Sequence, residues 1–419
     1  MDAISQTDRQ VVSDLAKQVA AVAADPIQQA RLDLWRRHNR MQRCKPPVLV
    51  YVEDAWDEFI PPETYQCTHE LARGLEVDLR RRLYAFEHIR DDRPVTANVD
   101  TYLVIDDPGL CTAVGETIHT ESPTHQRTGV LYAQVLCDDA DPEAVFPKRT
   151  ISGDWETTRK NQEQLADLVG DWLDVRIVGA NGWCACALDY LVFLRGAGQI
   201  LMDLVDRPQW IQALVKAMID SELDVARQCE AQGLLGLNNG NNHVGSGGIG
   251  ATDELPADGF DGERVRFKDQ WGFGTEQILS EVSPEMHWEL ALQHEMPLLK
   301  LFGLNCYGCC EPLHKKMDMV RRIPRLRRVS MSPFVDWAEG AEAIGGDFIY
   351  SAKPNPSYLT TGVWDIEPCR REIETILAAA KANGCVVEFV LNGTLTSRNE
   401  PHRYQQWTDM VQQFAEAHV

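Results

Sequence analysis

The sequence has no run of about 18 apolar residues and no basic segment leading into an apolar core in its opening residues, MDAISQTDRQVVSDLAKQ. A spanning helix and a secretory leader are therefore not expected, and the chain reads as a soluble cytoplasmic protein. Neither G-x-G-x-x-G nor G-x-x-x-x-G-K-[ST] follows any expected strand, which argues against a nucleotide-binding loop. Basic residues are in short supply, 41 against 63 acidic, and the formal charge of −22 would repel a phosphate backbone. Nucleic acid is not an expected partner. There is no internal repeat and no low-complexity tract. Twelve cysteines in 419 residues are too dilute for a disulfide scaffold. In a reducing compartment their clustering points to metal or to reactivity.

What remains is an ordinary globular composition, 44% apolar and 25% charged, long enough for one large domain with an N-terminal extension or for two domains. Residues 27–40 read as an amphipathic helix, 46–53 as a short buried strand ending in acidic turn residues, 67–88 as a second helix and 99–105 as a strand. The segment 109–155 reads as irregular. From residue 161 the pattern changes to short apolar runs alternating with helical stretches, the sign of βα units on a parallel sheet. Strands are expected at 175–178, 234–237, 303–307, 328–331, 347–351 and 386–391, with one more near 266–271. Helices are expected at 198–203, 208–232, 284–302, 312–321, 337–344 and 367–383; Pro208, Pro284 and Pro312 fall near three of the starts. The expected fold is α/β, a (β/α)8 barrel over residues 161–419 with residues 1–160 as an α+β cap packed on it.

The most informative stretch is FGLNCYGCCEPLHKKMDM, residues 302–319. Cys306, Cys309 and Cys310 fall within five positions, followed by Glu311 and then by Pro312, which suits the first turn of a helix. Thiols and a carboxylate crowd a strand-to-helix turn, which is where a barrel enzyme keeps its chemistry. Cys309, Cys310 and Glu311 read as candidate zinc ligands, or as small buried groups in a packed turn. Cys306 lies on the strand and reads as core.

Other residues stand out. His243 sits in a Gly/Asn loop, LNNGNNHVGSGGIG, able to approach a ligand closely, and Ser246 and Gly247 could present polar groups to a substrate. Glu388 interrupts the apolar strand CVVEFVL. A carboxylate there must be metal-bound, protonated as a general acid, or ion-paired. Lys353, just past a strand in SAKPNP, reads as a candidate for binding an anionic group or as an exposed loop lysine. Asp336, after SMSPF, has the same standing, and Trp183 in NGWCACALD could wall a pocket.

Five segments, at 193–220, 282–290, 302–313 (FGLNCYGCCEPL), 345–356 (GGDFIYSAKPNP) and 387–407 (VEFVLNGTLTSRNEPHRYQQW), together resemble the uroporphyrinogen decarboxylase superfamily. That superfamily includes the methylcobalamin:coenzyme M methyltransferases and related corrinoid-dependent methyltransferases. The resemblance implies a (β/α)8 barrel, often dimeric. The decarboxylase branch carries an Arg-rich RPxWxMRQAG-like segment, absent here; Glu53 and Asp54 stand where that basic grip belongs. The methyltransferase branch carries a His-x-Cys pair around a catalytic zinc. Cys309 takes the place of that Cys and Tyr307 stands where the His should be, among the catalytic positions. No Asp-x-His-x-x-Gly signature for a corrinoid lower ligand is present, so the corrinoid would be carried by a partner protein. The expected activity is zinc-dependent methyl transfer between a small O-, S- or N-methyl substrate and that corrinoid protein. The alternatives are a metal-independent decarboxylase and a non-catalytic zinc- or ligand-binding barrel.

Overall fold

A computed structural model describes residues 3–110, 115–122 and 125–418. Its centre is a seven-stranded sheet in the order Val48–Val50, Val386–Leu391, Ile349–Ala352, Leu326–Met331, Leu304–Tyr307, Trp271–Gly274 and Cys184–Ala185. Every neighbouring pair is parallel. The strands from Leu304 onward are buried along nearly their whole length, as a sheet covered on both faces requires. Between them run the covering helices. Pro208–Gln232 shows how the sequence defines one: Pro208 starts it, Ile211, Leu214, Val215, Met218 and Ile219 line its buried face, and Gly233 stops it in the left-handed conformation.

The sheet takes an edge strand from the first third of the chain, since Val48, Leu49 and Val50 pair with Phe389, Val390 and Leu391. The other edge of that strand meets carboxylates: Asp92 accepts from the Val48 N–H at 2.8 Å and Asp91 from the Val50 N–H at 2.9 Å. Asn98–Tyr102 and Asp174–Val178 form a separate parallel pair. The strand expected at 234–237 is reduced to one bridge, between Ala180 and Leu235. Side chains do the joining there: Asn238 accepts from the Trp271 N–H and donates to its carbonyl, and Gln270 donates to the carbonyls of Ala180 and Gly236.

One other region departs from the sequence reading, and one expected helix carries an irregular turn. Within 109–155, Gly115–Ser122 and His125–Tyr132 pair as an antiparallel hairpin and Ser152–Asp154 pairs with Val104–Asp106, while 111–114 and 123–124 lie outside the described residues. The helix expected over 284–302 runs without a gap from Pro284 to Leu299, widened to a π-helical turn at Trp288–Leu292. Pro297 near its end has no N–H to give the ladder.

The first third packs in two ways. Gln6–Ala23, Glu70–Tyr84 and Trp155–Val169 bury Val12, Leu15, Leu75, Leu79 and Leu168 in a cluster of their own. Pro26–Asn39 instead presents Trp35 to Leu49, Ile249 and Ala251, against the sheet. Among the described residues no helix is long and apolar enough to cross a membrane.

Candidate functional site

The Leu304–Tyr307 strand ends in a turn that only glycine fits. Gly308 has φ +94°, and a Cβ there would stand 2.4 Å from the Ser330 carbonyl oxygen. The turn carries Cys309 and Cys310 out beyond the sheet. The loop after the Ile349–Ala352 strand delivers Lys353 to the same place, and the 239–250 loop brings Ser246.

At this point Cys309 Sγ lies 3.5 Å from Lys353 Nζ and 3.6 Å from Cys310 Sγ. Lys353 is only 2% exposed, and an ammonium group is costly to bury without a counter-charge. The Cys309 sulfur is the partner it has been given. The Cys310 thiol donates to that sulfur, Lys353 attracts its negative charge, and Ser246 adds a further hydrogen bond. Against the opposing effect of burial, these hold the Cys309 thiol down to about 6 from its usual 9.0. Cys310 moves the other way. Its hydrogen bond to the Cys309 thiolate and its partial burial raise its pKa, so it keeps its proton. Cys309 is half-buried and Cys310 exposed, so solvent reaches the pair.

Glu311 holds the turn in shape. One carboxylate oxygen accepts from the Cys309 N–H at 2.7 Å; the other accepts from the Thr275 hydroxyl and the Glu276 N–H, each at 2.8 Å. The expected zinc ligand set therefore does not fit. Both Glu311 oxygens are committed, an ammonium group lies against the Cys309 sulfur, and only two adjacent thiols remain. Among the described residues no three His, Cys, Asp or Glu side chains gather as a metal requires.

Glu388 is fully buried, and its neighbours reverse the proton-donor reading. Gly248 N–H donates to one oxygen at 2.8 Å, with Arg328 Nε 3.0 Å away, and His38 Nε2 lies 2.8 Å from the other. Burial alone would raise its pKa, but Arg328, His38 and Ser351 together hold it down to about 2. An ionised carboxylate only accepts, so His38 donates through Nε2–H. Arg328 also donates to Asn39 Oδ1 at 2.7 Å, and its guanidinium lies over the Trp271 ring. This is the ion-pair alternative for Glu388. Gly247 and Gly248 serve it as well. A Cβ on Gly247 would fall 2.2 Å from Arg328, and one on Gly248 would fall 2.3 Å from Trp35, so these glycines permit close packing and their amides do not face a substrate.

The remaining candidates separate. Tyr307 alternates to the face opposite Cys306 and points into the helix layer, away from the thiols. There its hydroxyl meets His287 Nε2 at 2.8 Å, and Lys316 Nζ lies 3.4 Å from His287 Nδ1. With Lys316 donating to Nδ1, Nε2 carries the hydrogen and donates to Tyr307. Asp336 caps the Trp337–Ile344 helix, accepting from the N–H groups of Ala338 and Glu339. Trp183 packs edge-on against Phe267 with ring centres 5.0 Å apart. His243 lies in a crevice, its ring open to solvent yet surrounded by protein. Its ring packs tilted against Tyr51, ring centres 4.2 Å apart, and Arg93 lies over the same tyrosine. Crowding by protein, together with the cations Arg93, Arg328 and Lys353, lowers its pKa to about 3, so it is neutral at pH 7.

A cavity of about 750 Å³ lies beside this crevice, lined by Arg82, Arg93, Arg176, Asn98 and Asn241 among others. It contains none of the thiols, and its arginines are already paired: Arg82 with Asp78, Arg93 with Asp91 and Arg176 with Asp100. The thiol turn is the stronger centre for chemistry. The sequence reading missed Arg328, His38 and Thr275. A signal existed for His38, three positions after Trp35 on the same face of an otherwise polar helix.

Fold and site together describe an α/β protein with an activated thiolate at the C-terminal end of a parallel sheet. No protein-family model matches the chain, and no curated protein matches it. Among solved structures it is similar to a methyltransferase from Methanosarcina mazei, at 9% identity and a TM-score of 0.49, over 92% of this chain and 98% of that one. A likeness of that size carries no argument about either fold or activity.

Proposed function

We propose that the chain is a methyl-transfer enzyme on a closed (β/α)8-type barrel, and that Cys309 is its nucleophile. It would act between a small O-, S- or N-methyl substrate and a corrinoid carried by a separate protein. The observation that carries the chemistry is the buried Lys353 ammonium against the Cys309 sulfur. The choice of methyl as the transferred group is supported by the sequence segments that resemble the corrinoid-dependent methyltransferases.

The transfer is a double displacement. In the first half, a lone pair of the Cys309 thiolate forms a bond to the methyl carbon, and the bond to the substrate heteroatom breaks with its electron pair leaving on that atom. In the second half the methyl leaves the sulfur, and the electron pair of the S–C bond returns to Cys309 as thiolate. The corrinoid supplies the acceptor for that half. Lys353 serves both halves, since a cation that stabilises the thiolate as nucleophile also makes it a better leaving group. Glu311 and Gly308 fix where the sulfur stands.

Free methylcobalamin mixed with the protein alone tests the reverse of the second half. The expected result is loss of the methylcobalamin absorbance in an amount equal to the protein present, abolished in Cys309→Ser. An equal loss with Cys309→Ser would overturn the assignment.

A further inference from the structure

We propose that Cys309 and Cys310 form a reversible dithiol site that closes to a disulfide between adjacent residues when it meets a low-molecular-weight disulfide. The two sulfurs already stand 3.6 Å apart, and Cys310 is exposed beside the half-buried Cys309. Lys353 holds the Cys309 sulfur ready to attack. The site rests on this geometry and not on the methyl-transfer reading; only its consequence, removal of the nucleophile, rests on that reading.

The chemistry balances in two exchanges. Cys309 attacks one sulfur of the external disulfide, forming a mixed disulfide and expelling one external thiolate. That step removes the negative charge that keeps Cys310 protonated. Cys310 then loses its proton to solvent and attacks the Cys309 sulfur, closing the ring and expelling the second thiolate. The pair gives up two electrons in all, and the external disulfide is reduced to two thiols.

The same geometry makes the closed form labile and destabilising. Consecutive Cα atoms stand about 3.8 Å apart, below the roughly 4.4 Å at which disulfides become comfortable, so the ring is strained and easily reduced. No residue lies between the two cysteines, so closure removes little freedom from the unfolded chain. Lys353, 2% exposed, meanwhile loses its thiolate counter-charge. An ordinary disulfide raises the melting temperature; this one should lower it.

The test treats the full chain with oxidised glutathione and maps its peptides without reduction. The expected result for wild type is a peptide spanning 309–310 that lacks one pair of hydrogen atoms and carries no glutathione, with a lower melting temperature restored by dithiothreitol. Cys310→Ser should stop halfway, with glutathione held on Cys309. Wild type that keeps glutathione on Cys309, keeps both thiols free, or melts higher after oxidation would overturn the proposal. Normal closure in a protein that fails the methylcobalamin test would overturn the function and leave the dithiol site standing.

Discussion

Replacing Lys353 by Met removes the charge and keeps most of the volume, so it isolates what the ammonium does for Cys309. At the 3.5 Å separation, Coulomb's law gives about 5 kcal/mol for an effective dielectric of about 20 and about 1 kcal/mol in bulk water. At about 1.4 kcal/mol per pKa unit this is a rise of roughly one to three units. Cys309 is half-buried and partly screened, which places the expected rise at the lower end, about one to two units. The assay is the rate of iodoacetamide alkylation at the Cys309 peptide against pH. Wild type should show a midpoint near 6, Lys353→Met a higher one, and Lys353→Arg, which keeps the charge, a value near wild type. The shift should shrink in high salt. The same depressed pKa makes a stability statement. The thiolate's contribution is fully present above the ordinary value of 9.0 and is lost as pH falls toward 6, so the melting temperature should decline across that window in wild type and not in Cys309→Ser. A Lys353→Met protein that is folded and has an unchanged alkylation midpoint would refute the pairing.

Glu388→Gln should destabilise the protein by about 3–5 kcal/mol in denaturant unfolding, because it leaves Arg328 buried without its carboxylate. Wild type should also lose stability as pH falls from 4.5 toward 2, the window in which Glu388 takes up its proton, and the variant should lack that limb. Tyr307→Phe should leave His287 Nε2 buried without its acceptor, lowering stability by roughly 1–3 kcal/mol while the Cys309 alkylation profile stays as in wild type. Gly248→Ala forces a methyl into Trp35 at 2.3 Å and against Glu388 at 2.8 Å; a loss of about 1–3 kcal/mol is expected, readable as a lowered unfolding midpoint.

The parallel sheet was legible because its strands are short, apolar and buried on both faces, and because prolines mark the helix starts; the strand at residues 386–391 and the helix Pro208–Gln232 have the bounds read from the sequence. The segment at 234–237 was misread because apolar character shows burial and cannot show that Asn238 and Gln270 side chains would take over the ladder hydrogen bonds. At the site, the clustering of Cys309, Cys310 and Glu311 was legible, and Lys353, read as a residue for an anionic group, lies against the Cys309 sulfur. What the sequence could not carry was partner choice. Glu311 reads like a ligand until its two oxygens are seen to be occupied by N–H groups and Thr275, and Glu388 reads like an acid until Arg328 and His38 are placed beside it. Tyr307 was placed by analogy with a histidine, whereas strand alternation turns it to the opposite face from Cys306.

On the proposed route the methyl group passes through the sulfur of Cys309. The most direct test of that route is a peptide map of the protein after incubation with methylcobalamin in the absence of any second substrate, under reducing conditions that keep Cys310 as thiol. One added methyl is expected on the peptide containing Cys309, located at that residue by fragmentation, absent from Cys309→Ser and much slower to appear in Lys353→Met. A methyl group found on Cys310, on another cysteine, or nowhere on a protein that still turns over would contradict that route.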